Sequence, residues 1–310
     1  MSRFAFLFLP LVVFGLDFKV ATYNLENLFD DKKEGNEYKE YTPGKHGWNE
    51  AMMERKIANL ARVINDIDAD VIALMEVENK EVLSKLNVAL GNKRYLHLFY
   101  PLKKPRVSIE TAVMSRFPIQ KTGTFHLKDQ ARGIHRITVE VDKNLLDVYV
   151  NHWPAMPERE EERGEYARKL RSLIVEDVSR EFIVLGDFNS PLDVQKNGWG
   201  EAFQSLFYHG NRTMPLSNLW YELPPQKRYS HTYGKKRSAL DHMLISHNLN
   251  DGKGVEYTQG SFHVFSQPYM LESDGTPKRW AISEKGRGEH QGIGFSDHLP
   301  LTATFHTVTH

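Results

Sequence analysis

Six short apolar runs in this sequence carry carboxylate, amide or imidazole residues at one end, and this pattern limits the folds open to the chain. Such runs, bounded by turn residues, are typical of β-strands. Residues two positions apart in a strand share a face, so each closely spaced polar pair is expected to point one way. A single acid at a strand end is an ordinary turn residue, whereas the six strand ends together predict one polar site. The residues are Asn24, Glu26, Glu76, Glu78, His152, Asp187, Asn189, Asp241, His242, Asp297 and His298.

Amphipathic helices are predicted between these strands. From Glu50 onwards, apolar residues such as Met53, Ile57 and Ile64 recur every three or four positions. The segments EVLSKLNVAL and EREEERGEYARKLRSLIVEDV predict two further helices. Helices alternate with strands in places, and a β-hairpin is predicted over residues 135–153. We therefore expect a mixed α/β fold with one sheet, or two, covered by helices.

The first residues resemble a secretory signal peptide. Arg3 precedes an apolar stretch over residues 4–16, which is too short to span a membrane comfortably. We expect residues 1–15 to be a signal peptide and residues 16–310 to be a single domain. The expected location is then periplasmic or secreted; an uncleaved anchor and a buried N-terminal strand are the alternatives.

Charge and cysteine content narrow the chemistry. The formal net charge is zero, which gives no argument for bulk nucleic-acid binding but leaves room for a local basic groove. The sequence has no cysteine, so a metal must be held by oxygen or imidazole. Clustered carboxylates repel each other unless a cation or a hydrogen-bond network compensates. Hard oxygen ligands favour Mg²⁺, with Mn²⁺ or Ca²⁺ as alternatives. Histidines in the same set add groups that transfer protons near neutral pH. Together these features predict metal-assisted hydrolysis.

Seven segments resemble the endonuclease/exonuclease/phosphatase superfamily, the group typified by pancreatic deoxyribonuclease and exonuclease III-type enzymes. They occur in the family's order over residues 20–301, which is nearly the whole predicted domain. The resemblance implies a four-layer α/β/β/α sandwich of two packed, mostly antiparallel sheets flanked by helices. It also implies phosphoester hydrolysis with a divalent metal. The segments are VATYNLENLF, DVIALMEVEN, AVMSRFPI, YVNHWP, VLGDFNS, SALDHMLIS and FSDHLPL.

The resemblance also implies roles for individual residues. Asn24, Glu76 and Asp297 would hold the metal, with Glu26 as a weaker or outer ligand. The implied catalytic residues position phosphate and water or move protons; they are His152, Asp187, Asn189, Asp241 and His298. Either His298 or Asp187 could be the general base, and the number of metals stays open.

Departures from the family pattern separate its branches. Met75 stands where the family usually has Gln. The absence of cysteine disfavours the inositol 5-phosphatase branch, and the early and late motifs do not match the AP-endonuclease branch. YNLENLFD and VNHWP look most like exported bacterial members, several of which are nucleases. His242 is expected to be structural, Gly186 to allow close backbone approach, and Phe188 to point into the core.

Basic clusters in predicted loops could meet an anionic substrate. They lie at residues 102–106, 226–228, 234–237 and 277–279. We expect Lys235, Lys236 and Arg237 to line the cleft, and Arg168 to contact phosphate. The nearby aromatic residues Trp220, Tyr229 and Tyr233 could stack on bases, but anchoring of the loop is favoured.

The favoured function is a secreted or periplasmic, divalent-metal-dependent endonuclease of low specificity, monomeric, acting on DNA and with RNA as a second candidate substrate. The alternative is a phosphatase or a phospholipase C/sphingomyelinase-like enzyme on the same fold. An exposed apolar loop for membrane contact would favour the alternative, and SFHVFSQPYML (261–271) is the candidate. A non-catalytic binding protein ranks lower, because no expected catalytic position is missing.

Overall fold

Two β-sheets form the centre of the fold, and helices cover their outer faces. The computed structural model describes residues 15–104, 106–127, 132–176, 179–209, 212–214, 216–234 and 236–308. The predicted signal peptide, apart from Gly15, and Lys235 therefore lie outside the described residues.

The elements alternate along the chain much as the apolar runs predict. The helices are α1 (Glu50–Ile67), α2 (Lys80–Ala89), α3 (Glu160–Glu176), α4 (Glu201–Gln204) and the single turn α5 (Ser283–Gly286). The strands are β1 (Asp17–Leu28), β2 (Val71–Val77), β3 (His97–Phe99), β4 (Glu110–Ser115), β5 (Ile119–Phe125), β6 (Ile134–Val141), β7 (Asn144–His152), β8 (Phe182–Asp187), β9 (Tyr208–His209), β10 (Arg212–Thr213), β11 (Leu216–Asn218), β12 (His231–Tyr233), β13 (Lys236–Ser238), β14 (Asp241–Ser246), β15 (Val255–Tyr257), β16 (His263–Val264) and β17 (Leu301–Thr307).

Both large sheets are mixed and mostly antiparallel, as expected. The first has the order β15-β17-β1-β2-β4-β3, with β16 also paired to β17. The second has the order β11-β14-β8-β7-β6-β5. Within the described chain, β1–β2 is the parallel pair of the first sheet and β7–β8 that of the second. The predicted hairpin is present as β6–β7.

Three apolar layers separate the four structural layers. One lies between α1, α2 and the first sheet, one between the two sheets, and one between the second sheet and α3 with α4. The apolar stripe of α1 is buried as its spacing predicts, and Asn49 caps the helix by accepting a hydrogen bond from the backbone N–H of Met52. This is the α/β/β/α sandwich that the resemblance implies.

The connections bring the polar strand ends to one edge. Helix α1 links the parallel strands β1 and β2, and α3 links β7 and β8, so the carboxyl ends of all four strands face the same way. Strand β14 runs antiparallel to β8, and β17 runs antiparallel to β1, so their starts lie at that same edge. Asp241, the first residue of β14, is therefore directly opposite Asp187.

The long segments predicted as loops contain short elements. Residues 191–237 include α4 and the small hairpin β12–β13, and residues 248–295 add β15 and β16 to the first sheet. Among the residues that the structure covers, no helix combines the length and apolar character needed to cross a membrane.

Candidate active site

Polar side chains from both sheets converge where the strand ends meet. The Asn24 amide nitrogen donates to Glu76 Oε1 at 3.1 Å and to Asp187 Oδ2 at 2.9 Å, which links the first sheet to the second. His152 Nε2 lies 3.7 Å from Glu76 Oε1 and 3.8 Å from Asp187 Oδ2. His298 Nε2 lies 3.9 Å from Asp187 Oδ2. The structure thus places these five predicted residues in one cluster.

The turn after β8 holds Asp187 in place. The backbone N–H of Asn189 donates to Asp187 Oδ1 at 2.7 Å, and the Asn189 amide nitrogen donates to the Trp153 carbonyl at 3.1 Å. Gly186 has φ of 126°, and a Cβ there would lie 2.0 Å from the Asn151 carbonyl oxygen. Only glycine fits this approach. Phe188 is fully buried against Trp153, so the predictions for Gly186 and Phe188 are confirmed.

His298 forms a buried ion pair with Asp241. Its Nδ1 donates to Asp241 Oδ2 at 2.7 Å, and Ser230 Oγ donates to the same oxygen at 2.6 Å. Burial opposes the charge on His298, but the carboxylates of Asp241 and Asp187 outweigh it and raise the His298 pKa well above its usual value. His298 is therefore an imidazolium at neutral pH, with Nε2 turned toward the other acids.

His152 has the opposite character. Burial, Arg132 and the positive charge of His298 hold its pKa well below the usual value, so it is neutral at pH 7. Its Nδ1 is buried and has no hydrogen-bond partner among the described residues. The two predicted catalytic histidines therefore carry different charges in one cleft.

The carboxyl groups of the site have raised pKa values. Burial and the charge of Asp241 raise the pKa of Asp187 to about 7. Burial and the charge of Asp297 raise the pKa of Glu76. Burial and Asp297 also raise the pKa of Glu26 to about 7, against the opposing effect of Arg279. Such shifts mark a crowded anionic cluster that a cation would stabilise.

Glu26 and Asp297 form the outer wall of the site with Arg279. Arg279 Nε donates to Glu26 Oε1 at 2.9 Å, and the Trp280 backbone N–H donates to Glu26 Oε2 at 2.9 Å. A second Arg279 nitrogen lies 3.5 Å from Asp297 Oδ2. Burial works to raise the Asp297 pKa, but His298 and Arg279 lower it overall, so Asp297 is a carboxylate.

The donor set fits a hard divalent cation. Carboxylate oxygens of Glu76 and Asp297 are present. In two further groups, possible ligand atoms lie within 4.8 Å of each other, although the protonated His298 in each group has no lone pair for a cation. They are His231 with Asp297 and His298, and Asp187 with Asp241 and His298. The ligand role of Asn24 stays a prediction: its oxygen accepts the Glu26 backbone N–H at 3.0 Å and keeps a second lone pair, while its nitrogen faces the carboxylates. In this arrangement Asn24 positions Glu76 and Asp187.

Among the described residues, Glu78 does not join the cluster as predicted. Glu78 does not share a face with Glu76 and is not at the surface: it is fully buried, and its Oε2 accepts the Asp30 backbone N–H at 2.7 Å. The reason is a register shift at the end of β2, where Glu76 has φ of 66°.

Among the described residues, none of the predicted phosphate-binding side chains forms a hydrogen bond or ion pair with the central acids. Arg168 is on the exposed surface of α3. Lys236 lies 5.2 Å from the Trp199 ring, and Arg237 lies 4.4 Å from that of Tyr229.

Two other predictions for this region are confirmed, and one is wrong. His242 is structural: it is buried, bonds the Ser190 carbonyl at 2.9 Å and stacks on Phe203. Trp220 anchors its loop by donating to the Asp241 carbonyl at 2.8 Å. The anchoring prediction is wrong for Tyr233, which is 82% exposed at the tip of the β12–β13 hairpin.

Sequence reasoning missed four positively charged or imidazole residues around the acids. Lys56 lies in the buried stripe of α1 and donates to the Glu26 carbonyl at 2.6 Å, and its placement among apolar positions was an available signal. Arg279 belongs to a noted basic cluster but was not connected with Glu26. His231, whose ring lies 4.7 Å from that of His298, and Arg132 carried no local signal.

The comparisons with known proteins agree with this geometry. The Endonuclease/Exonuclease/phosphatase family model matches residues 19–307. D. rerio TDP2 complexed with single strand DNA product has a TM-score of 0.61 at 14% identity, covering 94% of this chain and 99% of that one. A family protein from Bacteroides thetaiotaomicron has a TM-score of 0.59 at 15% identity, with coverage of 95% and 99%. ANGEL2, a 2',3'-cyclic phosphatase, has a TM-score of 0.58 at 14% identity, with coverage of 96% and 99%. At these identities the likeness is one of fold. Among curated proteins, no sequence matches this chain.

Proposed function

The chain belongs to the Endonuclease/Exonuclease/phosphatase family, whose members are metal-dependent phosphoesterase hydrolases, and we propose that it hydrolyses phosphodiester bonds of nucleic acid, DNA first. The observation that carries the proposal is the pairing of two groups. Asp187, with a pKa of about 7, faces the His298 imidazolium at 3.9 Å. A base near neutrality beside a fixed cation suits attack of water on an anionic ester.

The roles of the residues follow from their charges. Asp187, deprotonated above pH 7, would take the proton of the attacking water. This choice favours Asp187 over His298 as general base, because His298 is already protonated. The His298 Nε2–H would instead stabilise the charge that develops on the phosphoryl oxygens. Asp241 holds that imidazole in orientation, and neutral His152 would hydrogen-bond to the phosphate.

Glu76 and Asp297 would hold the divalent cation, which we propose to be Mg²⁺, with Mn²⁺ or Ca²⁺ as alternatives. When bound, such a cation neutralises phosphate charge and lowers the pKa of water. Asn24 keeps Glu76 and Asp187 close together, and Arg279 and Lys56 neutralise the neighbouring Glu26. Asn189 fixes the Asp187 carboxylate through its backbone N–H.

Nucleic acid is the proposed substrate because a basic and an aromatic side chain lie beside the Asn189 turn of the site. Lys236 and Trp199 lie on the loop side of Asn189, where the Trp199 indole N–H donates to the Asn189 carbonyl at 2.8 Å. The similarly folded D. rerio TDP2 is described with a single strand DNA product. We further propose a monomeric endonuclease of low specificity, with RNA as a second substrate. The apolar stretch at residues 4–16 supports a periplasmic or secreted location.

The membrane-lipid alternative loses its supporting feature. The candidate contact loop at 261–271 is packed rather than projecting: Phe262 and Met270 are buried, and His263 and Val264 pair with β17. No exposed apolar patch remains there to dock on a lipid surface. We therefore do not carry a phospholipase as a second candidate.

The experiment is cleavage of supercoiled plasmid and of a labelled oligodeoxynucleotide with Mg²⁺, Mn²⁺, Ca²⁺ or EDTA. We expect metal-dependent nicking by the wild type and its loss in Asp187→Ala. Asp251→Asn is the matched control, because Asp251 is an exposed turn residue following β14 at the far end of the sheet. Nicking that is equal in the wild type and Asp187→Ala, or absent with every metal, would overturn the proposal.

A further inference from the structure

A cavity of about 380 Å³ lies between the loop before β4 and the start of α3. Its lining residues include Tyr38, Arg106, Arg132, Pro154, Arg159 and Tyr166. We call it the arginine cavity. One of its residues, Arg106, belongs to the basic cluster at residues 102–106.

The arginine cavity concentrates positive charge in a chain whose net charge is zero. Three arginines line it, against one carboxylate from Glu162. Arg159 Nε donates to Glu162 Oε1 at 2.9 Å, so that carboxylate is already paired. Arg106 is exposed and pairs with no carboxylate in the described part of the chain. The lining therefore has a net positive charge, and Arg106 has a guanidinium group available to bind phosphate in a planar, bidentate way. Arg132 and Arg159 already use two nitrogens each on carbonyls or on Glu162.

Arg132 connects the arginine cavity to the backbone of the active-site residue His152. Arg132 Nε donates to the His152 carbonyl at 3.0 Å, and a terminal nitrogen donates to the Trp153 carbonyl at 2.9 Å. Tyr166 Oη donates to the Arg132 carbonyl at 2.8 Å and holds the Arg132 backbone in place. Burial and the charge of Glu76 raise the pKa of Tyr38, another residue of the lining.

We propose that the arginine cavity binds a second phosphate of the substrate, one that neighbours the reacting phosphodiester. The inference rests on the proposed function and names its substrate class: phosphodiesters with at least one flanking phosphate. The reacting phosphate belongs with Asp187 and His298, whereas Arg106 and Arg159 line a separate cavity that shares Arg132, the residue bonded to the His152 carbonyl. Oligonucleotides are then better substrates than isolated diesters, because each flanking phosphate adds a charge-assisted hydrogen bond.

Binding tests the cavity without catalysis. The dissociation constant of a fluorescent single-stranded oligodeoxynucleotide is measured in EDTA over a series of salt concentrations. For Arg106→Gln/Arg159→Gln we expect about tenfold weaker binding and a salt slope shallower by roughly 0.7 for each phosphate that the arginines no longer bind. Glu162→Gln should bind more tightly, because it removes the carboxylate that faces the arginines.

Arg94→Gln is the matched control for this measurement. Arg94 is exposed, and its neighbour Tyr95 donates to the Ala69 carbonyl at 2.9 Å, at the start of β2 and thus opposite the active site. Its variant should bind as the wild type does. An unchanged salt slope in the double variant, or tighter binding absent from Glu162→Gln, would overturn the proposal.

Hydrolysis of matched dinucleotides separates this inference from the proposed function. One diester without a second phosphate is compared with the same dinucleotide carrying a 5'- or a 3'-terminal phosphate. We expect the wild type to prefer one of the phosphorylated forms by about tenfold in kcat/KM, and the double variant to lose that preference while cleaving the unphosphorylated form as before. Equal loss on all forms would overturn the inference. Cleavage of none of them by the wild type would overturn the proposed function, and the binding result would still decide the cavity.

Discussion

The two sheets contribute to the site through the same motif, a parallel strand pair joined by a helix, yet they deliver different chemistry. The β1–α1–β2 unit supplies the carboxylate of Glu76, the proposed metal ligand, and Asn24, whose amide nitrogen joins Glu76 to Asp187. The β7–α3–β8 unit ends in groups that move or orient protons, His152 and Asp187. Equivalent topology therefore fixes where side chains arrive, while the residue types decide what they do there.

The two units also bend their strand ends by different means. In the first, the ladder shifts register, and the non-glycine residues Glu26, Asn27 and Glu76 have positive φ. In the second, Gly186 takes φ of 126° within β8, against the Asn151 carbonyl, and Asn189, with φ of 46°, follows in the turn after the strand. Positive φ in non-glycine residues costs free energy, and such strain is concentrated at functional sites. The first unit tolerates it because its acids are held by Asn24, Arg279 and backbone N–H groups.

The largest expected effect comes from the His298–Asp241 pair, which faces Asp187 at the end of the β7–α3–β8 unit. His298→Ala and Asp241→Asn should each lower kcat by about 10²- to 10⁴-fold, and the double variant should lose little more, because the two residues act as one pair. Steady-state rates on a labelled oligodeoxynucleotide check this. Multiplicative losses in the double variant would show that the two side chains act independently.

Gly186→Ala tests the backbone conformation near the end of β8, in the β7–α3–β8 unit. The new Cβ would lie 2.0 Å from the Asn151 carbonyl oxygen, so we expect a loss of about 3 kcal/mol or more in the free energy of unfolding. Gly91→Ala is the control, because Gly91 also has positive φ, at 64°, but open space around it. It should lose only about 1 kcal/mol. Urea denaturation measures both, and equal losses would mean that the close approach does not matter.

Glu76→Gln tests the β1–α1–β2 unit. We expect metal affinity to fall by about 10- to 100-fold, since a carboxylate donor is lost while the side-chain shape is kept. Calorimetric titration of Mg²⁺ or Mn²⁺ reads this without turnover. Glu78→Gln, which changes the neighbouring acid that faces away from the cleft, serves as the control and should bind metal as the wild type does.

The smallest expected effect concerns Glu78, which follows Glu76 by two positions as Asn189 follows Asp187. Asn189 returns to Asp187, but Glu78 turns away and is buried, and burial raises its pKa to about 8. Because the folded state holds that proton more tightly than the unfolded state, stability falls as pH rises from the unfolded pKa toward about 8. At pH 9 the free energy of unfolding of Glu78→Gln should therefore be about 1 to 3 kcal/mol higher than that of the wild type.

Comparison of the wild type with Glu78→Gln at low pH is the control for this prediction. Near pH 4 the wild-type Glu78 is protonated in both states, so the two melting curves should converge. A constant difference at all pH values would contradict a titrating Glu78.

Much of the fold could be predicted because it depends on local periodicity. The apolar stripe of α1, the β6–β7 hairpin and the polar ends of β1, β2, β7 and β8 are each readable within about twenty residues. The pairing of Glu26 with Arg279 was not readable, since it joins side chains 253 positions apart. The separation of Glu78 from Glu76 was missed because strand alternation assumes a regular ladder, and a register shift breaks it.

The sequence by itself determined the class of fold and the inventory of groups, because burial patterns and residue types are local properties of the chain. The tertiary structure alone decided how those groups are charged: His298 is a cation, His152 is neutral and Asp187 has a pKa of about 7. These states depend on burial and on neighbours from other strands, and electrostatic interactions act through space rather than along the chain. The same reason explains Arg132 and Lys56, whose partners only the packing of the two sheets supplies.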